Sequence, residues 1–380
     1  MKIFVWIALL VIWLRLDWVA GLRKNKNKHL SAYSKKNAHA DFFDDGVKWM
    51  KQLEDDCLNA VCTIDMMFFI LQPDDAGQRL MKLLVKKARE GVRVRLMLDA
   101  IGSRTFKKSL KQTPHEGVII QFSRPFTFKG SWFFMQKRNH KKLAVIDKKI
   151  AHVGGFNIGL EYLHLDPVLT PWRDYHLRLT GEITQDCQIE FERDWRQEFI
   201  ESETAGNGAY QLVSSEAVDQ EAFICNLLKK ARDSIFIGSP YFIPTQKVES
   251  CLFNAIESGV KLTVLVPGTP DHPLVQPASY RYLRRLLEKG ADVYQFQNGF
   301  YHAKAILIDG RLCDIGTMNF DRRSLLINEE LNVITEDQEI ILSLSESIEK
   351  DLTNAVKLKQ GDLKVQPIKE TAAWCVGHLL

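Results

Sequence analysis

HKKLAVID (His140–Asp147) and HAKAILID (His302–Asp309) are two copies of one pattern, H-x-K-x-x-x-x-D. The register continues past both copies, so that Gly154 aligns with Gly316 and Asn157 with Asn319. One such octet is a weak signal; a duplicate with Gly and Asn also in register is a strong one. In an extended strand, residues i and i+2 share a face, so His140 projects with Lys142 and His302 with Lys304. The apolar residues that follow, Leu143 to Ile146 and Ala305 to Ile308, read as buried strand cores. Asp147 and Asp309 close the strands, where a turn-fixing role and a catalytic role are both open. A polar pair repeated on two otherwise apolar strands is costly to bury without a purpose.

Outward from the motifs, the chain reads as two similar halves. The first opens with CTIDMMFFILQP (Cys62 to Pro73), continues through a helical pattern from Gln78 to Glu90, and passes Gly91 into VRVRLMLDA. The second repeats the order as SIFIGSPYFIPT (Ser234 to Thr245), a helix over Val248 to Glu257, Gly259 and VKLTVLVPG. GVIIQF (Gly117 to Phe122) matches GADVYQF (Gly290 to Phe296). Repeated strand–helix–strand order predicts an α/β architecture. The segment Glu201 to Val218 is small, polar and Gly-containing, as a linker is. The expected organisation is a membrane segment over 1–24, a basic linker over 25–40, one domain over 41–200, a linker over 201–218 and a second domain over 219–380.

Two His and two Lys make a phosphodiester-cleaving set. One His attacks phosphorus and forms a phosphohistidine. The other protonates the leaving alcohol and then deprotonates the incoming one. The lysines place fixed positive charge on the non-bridging oxygens. Asn157 and Asn319 add hydrogen-bond donors. This chemistry calls for no metal or cofactor, and the sequence has no HExxH, EF-hand loop, P-loop or GxGxxG.

With these motifs the sequence resembles the phospholipase D superfamily, over about Asp41 to Val365. Within it, GGFNIGLEY (Gly154 to Tyr162), WRDYHLRLTG (Trp172 to Gly181), SPYFIP (Ser239 to Pro244) and NFDRRSLLINEELN (Asn319 to Asn332) look most like bacterial cardiolipin synthases. The resemblance implies two pseudo-symmetric α/β sandwich domains sharing one active site at their interface. It implies transfer of a phosphatidyl group between two phosphatidylglycerol molecules, giving cardiolipin and glycerol. It further implies His140 as nucleophile and His302 as general acid/base, an assignment that the reverse order also satisfies. Asp174, Glu330 and Ser324 follow from the same resemblance, the two carboxylates orienting the catalytic His residues and Ser324 touching phosphate. The alternative reading is hydrolysis by the same site, as a phospholipase D or a nuclease. Typical cardiolipin synthases carry two N-terminal membrane helices, whereas this chain has one short apolar segment.

That segment, IFVWIALLVIWL (Ile3 to Leu14), is interrupted at Arg15 and Asp17 and resumes to Leu22. A cleaved signal peptide, a buried helix and a membrane anchor compete, and the anchor fits best. Arg23, Lys24, Lys26 and Lys28 follow it, against Lys2 before it, which places the body on the cytoplasmic side of the cell membrane. Anionic lipids are the expected partners. The chain has 380 residues and a net charge of +4, which gives little support to a nuclease, and no nucleic acid is expected as a partner; no obligate protein partner is evident. Seven scattered cysteines read as buried thiols in a reducing compartment. His176 is expected on a strand in a core or outward role. Phe126 to Asn139 is expected as either a loop or a lip that touches lipid, and Arg281, Arg284 and Arg285 as a solvated helix face. The apolar end AAWCVGHLL is expected to dock on the body or on lipid.

Overall fold

The structure is a computed structural model that describes residues 2–26, 33–125, 132–202, 206–216, 218–271, 275–367 and 369–370. The basic linker at 27–32, the start of the lip at 126–131 and the apolar C-terminal end lie outside the described residues.

The first half contributes β1 (Ala38–Phe43), β2 (Thr63–Phe68), β3 (Arg93–Asp99), β4 (Val118–Ser123), β5 (Leu143–Ile146), β6 (Ile150–Gly154), a short β7 (Trp172–Arg173) and β8 (His176–Gly181). The second contributes β9 (Tyr210–Ser214), β10 (Ser234–Gly238), β11 (Phe242–Ile243), β12 (Lys261–Pro267), β13 (Asp292–Phe296), β14 (Phe300–Tyr301), β15 (Ala305–Ile308), β16 (Leu312–Gly316), β17 (Phe320–Asp321), β18 (Leu331–Thr335) and β19 (Ala355–Lys357). One sheet has the order β1-β8-β6-β5-β2-β3-β4 and the other β9-β18-β16-β15-β10-β12-β13-β19. The two orders are the same topology, with β19 added at one edge. In both, three parallel strands (β2-β3-β4; β10-β12-β13) adjoin an antiparallel set that holds the motif strand. The equivalence extends to register: Ile64 faces Ile146, and Ile235 faces Ile308.

Both faces of each sheet are covered, which is why the motif strands are continuous apolar runs. Leu143 and Val145 point into a core shared by the two halves, with Ala305, Cys313, Ile315, Leu331 and Val333. Ala144 and Ile146 point the other way, against the helices Gly46–Leu58 and Asp75–Arg89. The second sheet's outer face packs on the helices Gln220–Leu228, Gln246–Glu257 and Val275–Glu288. The architecture is therefore two α/β halves with their sheets face to face.

Three expectations change. The supposed linker 201–218 contains β9, which pairs with β18 along Tyr210–Ser214. Its small polar residues concealed a short strand, YQLVS, with Tyr210, Leu212 and Val213 buried. Cys225 and Cys251 form a disulfide between two helices, while Cys57, Cys62, Cys187 and Cys313 are free thiols, so the all-thiol reading fails. The N-terminal segment is a helix, Lys2–Lys26, but among the described residues no helix is long and apolar enough to cross a membrane. The transmembrane expectation is therefore not supported.

Candidate active site

His140 and Lys142 lie just ahead of β5, and His302 and Lys304 just ahead of β15. The sequence reading placed them within the strands. Instead, this part of the backbone pairs across the two halves. The N–H of His140 donates to the carbonyl of Glu329 (2.8 Å), and that of His302 to the carbonyl of Arg173 (2.7 Å). The crossing exchanges side-chain partners as well. His140 Nδ1 is 2.8 Å from Glu330 Oε2 in the second half. His302 Nδ1 is 2.5 Å from Asp174 Oδ2 in the first. Each His thus takes its carboxylate from the other half.

All of these groups are nearly closed off from solvent: His140 is 9% exposed, His302 7%, Lys142 0% and Lys304 2%. A ring packs on each His, Phe69 on His140 with centroids 4.9 Å apart and Trp172 on His302 at 4.8 Å. Burial pushes both imidazoles down, His302 to about 3 with the help of the Lys304 charge. Burial also lowers Lys142 to about 7, with Lys304 adding to the effect, and lowers Lys304 to about 8. Burial works against the charge on Asp174, but Lys304 and His302 outweigh it and hold the carboxyl below its usual range. Glu330 is held low in the same way, by His140 and Lys142 against burial. The resting pairs are therefore carboxylate and neutral imidazole. With Nδ1 facing the carboxylate, Nε2 is the ring nitrogen left for chemistry.

The two pairs are not identical. Glu330 Oε2 also accepts from Thr317 Oγ1 (2.7 Å), and Oε1 accepts from Ser324 Oγ (2.7 Å). Asp174 instead accepts its own residue-175 N–H (2.9 Å) and has Lys304 Nζ at 3.5 Å. Lys304 Nζ also lies 2.6 Å from His302 Nδ1 and donates to the His302 carbonyl. Lys142 Nζ donates to the His140 carbonyl (2.8 Å). Gly155, which matches Thr317, leaves room for Asp174: a Cβ there would collide with the carboxylate. The sequence reading missed Thr317, although the Gly155/Thr317 difference in matched repeats was its signal.

Other expected residues fall differently. Ser324 serves Glu330, as above. Asn157 has both ends engaged within its own half: Oδ1 accepts from Ile70 N (3.0 Å) and Nδ2 donates to the Tyr162 hydroxyl (3.2 Å). Asn319 is buried beside Asp321, and its Oδ1 has no hydrogen-bond partner among the described residues. Asp147 and Asp309, expected among the catalytic residues, stand at the far ends of their strands and are corrected to turn residues. Asp147 accepts the N–H groups of Val61, Cys62 and Thr63 at 2.7–2.8 Å, and Asp309 those of Arg232, Asp233 and Ser234 at 2.8–2.9 Å. Both have φ 51°, a left-handed conformation that Asp tolerates in a tight turn. Seven residues separate each Asp from its His, up to roughly 20 Å of extended chain.

Neighbouring residues fix the site rather than react. Lys141, between His140 and Lys142, alternates to the opposite side. Its buried ammonium sits 2.5 Å from Glu190, 3.0 Å from Asp194 and 3.5 Å from Glu216. These three are the one group of clustered carboxylates with metal-like spacing among the described residues, and Lys141 neutralises part of their charge. His176 is fully buried and packs at a tilt against Trp49, with ring centroids 4.3 Å apart, in a core role. Arg284 and Arg285 are not a free solvated face: they pair with Glu370 (2.6 Å) and Glu249 (2.7 Å).

Two halves of one topology that lend each other a carboxylate, around paired His and Lys, define a protein of the phospholipase D class. The family model described as "Cardiolipin synthase, PLD-like domain" matches residues 56–195 and 224–352, and the chain belongs to that family. It is 33% identical to the minor cardiolipin synthase ClsB of Bacillus subtilis, over 100% of this chain and 99% of the relative. It is 36% identical to a cardiolipin synthase of Oceanobacillus iheyensis, over 87% of this chain and 72% of the relative. Its fold matches the crystal structure of a phosphatidylserine synthase from Haemophilus influenzae with a TM-score of 0.71 and 14% identity, over 95% of this chain and 100% of that one.

Proposed function

We propose that the protein joins two phosphatidylglycerol molecules into cardiolipin and releases glycerol. The activity class follows from the family, and phosphatidylglycerol is the substrate that class implies. The single observation that carries the mechanism is the crossed pair of imidazole–carboxylate contacts.

The His140 Nε2 lone pair attacks phosphorus of the first lipid, and the P–O bond to its glycerol headgroup breaks. His302, protonated at Nε2 in the substrate-bound state, gives that proton to the departing glycerol oxygen. The phosphodiester anion supplies the negative charge that favours a protonated His302. The second lipid's headgroup hydroxyl then gives a proton to His302 and attacks the phosphohistidine, breaking the N–P bond. Two in-line displacements give net retention at phosphorus. Lys142 and Lys304 hold the non-bridging oxygens through both steps.

His140 is the better nucleophile because its Nδ1 faces Glu330, whose other contacts are the hydroxyls of Thr317 and Ser324. The Nδ1 of His302 is shared between Asp174 and Lys304. The two halves act as two phospholipase-D-like domains with one site between them. The protein works at the cell membrane, its catalytic halves on the cytoplasmic side, with anionic lipids as partners.

Detergent-purified protein given labelled phosphatidylglycerol is expected to yield cardiolipin and glycerol in equal amounts. Phosphatidic acid alone would replace this reading with hydrolysis, and cleavage of DNA without lipid turnover would replace it with a nuclease. His140→Ala is expected to abolish both turnover and covalent labelling by the lipid phosphate; labelling at the normal level would move the nucleophile to His302.

A further inference from the structure

The helix Lys2–Lys26 has two distinct faces. On one, Trp6, Leu9, Ile12, Trp13, Leu16 and Val19 are 46–71% exposed. At 100° per residue they form a single stripe about 140° wide. On the adjoining face, Asp17, Gly21 and Asn25 recur every fourth residue and meet the body of the protein.

Those contacts reach both halves close to the chemistry. Asp17 Oδ2 accepts the N–H of Phe133 (2.7 Å). Trp18 packs edge-on against the Phe133 ring at 5.3 Å, and the ring lies so close to Gly21 that any side chain there would collide with it. Phe133 is fully buried on the short helix Trp132–Gln136, which leads directly into Arg138, Asn139 and His140. Asn25 spans the two halves: its Oδ1 takes a hydrogen bond from Lys137 Nζ (3.3 Å), and its Nδ2 donates to the carbonyl of Leu326 (3.0 Å). Leu326 ends the helix Arg322–Leu326 that carries Ser324, the hydroxyl donor to Glu330. Arg138 and Glu329 close the same assembly by a backbone hydrogen bond of 2.9 Å.

We infer that the N-terminal helix is a strut that rests its apolar stripe on an anionic bilayer and, through Asp17, Gly21 and Asn25, is coupled to the segments that carry His140 and Ser324 and sets their position, so that one helix serves both lipid docking and catalytic geometry. The occupant of the stripe is a bilayer for three reasons. The tryptophans Trp6 and Trp13 are interfacial residues. Exposed Arg15 and Arg23 on the same helix suit anionic headgroups. The substrate of the proposed reaction is itself a bilayer lipid, and the strut touches the segment that leads into His140. This inference rests on the proposed function for the identity of the substrate, but not for the coupling.

The test uses the full-length, detergent-purified chain. Leu9→Glu together with Leu16→Glu is expected to weaken sedimentation with phosphatidylglycerol/phosphatidylcholine vesicles by about 10-fold or more. Turnover of monomeric dihexanoyl phosphatidylglycerol by this variant is expected to be unchanged. Gly21→Leu is expected to do the reverse, keeping vesicle binding but lowering kcat on either substrate by about 10-fold or more, with KM little changed, because the His140 segment is displaced. Asp17→Ala, which removes one hydrogen bond and adds no bulk, is expected to lower kcat in the same direction by less. Full kcat in both Gly21→Leu and Asp17→Ala would overturn the coupling, as would a loss confined to KM. Undiminished vesicle binding by the double Glu variant would overturn the docking surface. The product formed tests the proposed function, whereas the ratio of variant to wild-type consumption of lipid tests the strut whatever that product is.

Discussion

His140 and Glu330 are 190 positions apart in the chain, yet Nδ1 of one lies 2.8 Å from Oε2 of the other, in a site from which solvent is almost excluded. The contact exists because the backbone of the two halves pairs at Asn139 and Glu329, one residue before each partner. A carboxylate here fixes the tautomer that exposes Nε2 and stabilises the imidazolium when it forms.

Glu330→Gln keeps the size of the side chain but lets an amide N–H face Nδ1, which favours the wrong tautomer. We expect kcat to fall on the order of 10³–10⁴-fold with little change in KM, by analogy with amide substitution of an orienting carboxylate. Thr317→Val, which removes one hydroxyl from Glu330, is expected to have a smaller effect. Steady-state rates with short-chain phosphatidylglycerol measure both. A Glu330→Gln enzyme within tenfold of wild type would remove Glu330 from the machinery.

The lysines give a pH prediction. In the empty site Lys142 loses its proton at about 7 and Lys304 at about 8. As pH rises through these values the site loses positive charge, so affinity for a phosphodiester anion falls between pH 7 and 9. Binding in that window draws protons back onto the lysines. Calorimetric titration with glycerophosphoglycerol at pH 8, in two buffers of different ionisation enthalpy, is expected to show proton uptake; none would contradict the lowered values. The stability of the empty protein has the opposite sign. The unfolded chain keeps these protons to about 10.4 and the folded one releases them near 7 and 8, so this pair favours folding more as pH rises across that interval.

Asp147 and Asp309 are predicted to matter for stability and not for turnover. Replacing either by Ala removes an acceptor shared by three backbone N–H groups, and is expected to cost about 1–2 kcal/mol, as loss of a good helix cap does. Thermal melting would show this while kcat stays within about twofold, a change too small to implicate a reacting group. Burial works against both charges, but the backbone donors hold both carboxyls below their ordinary range. Their contribution is therefore present above about 3.9 and lost as pH falls through the folded value. A large loss of kcat with unchanged melting would restore them to the catalytic set.

The sequence by itself determined the duplication, the α/β class and the four charged or titratable groups of the motifs. Repetition in register is a one-dimensional fact, and the alternation of a buried strand is local. His140, Lys142, His302 and Lys304 were therefore legible, as were the helices after β2 and β10. Asp147 and Asp309 were legible as residues but not as roles, because a motif carries its turn-former along with its reactive groups. Only the tertiary structure decided which carboxylate serves which imidazole. Asp174 and Glu330 reach their partners across the junction of the halves, and no local periodicity encodes a contact between segments 128 or 190 residues apart. It also decided that Thr317 and Ser324 serve Glu330, that Lys141 turns away into an acidic pocket, and that Gly21 is small because Phe133 lies against it. Local spacing sets which side chains share a face, whereas the packing of two complete sheets sets what that face meets.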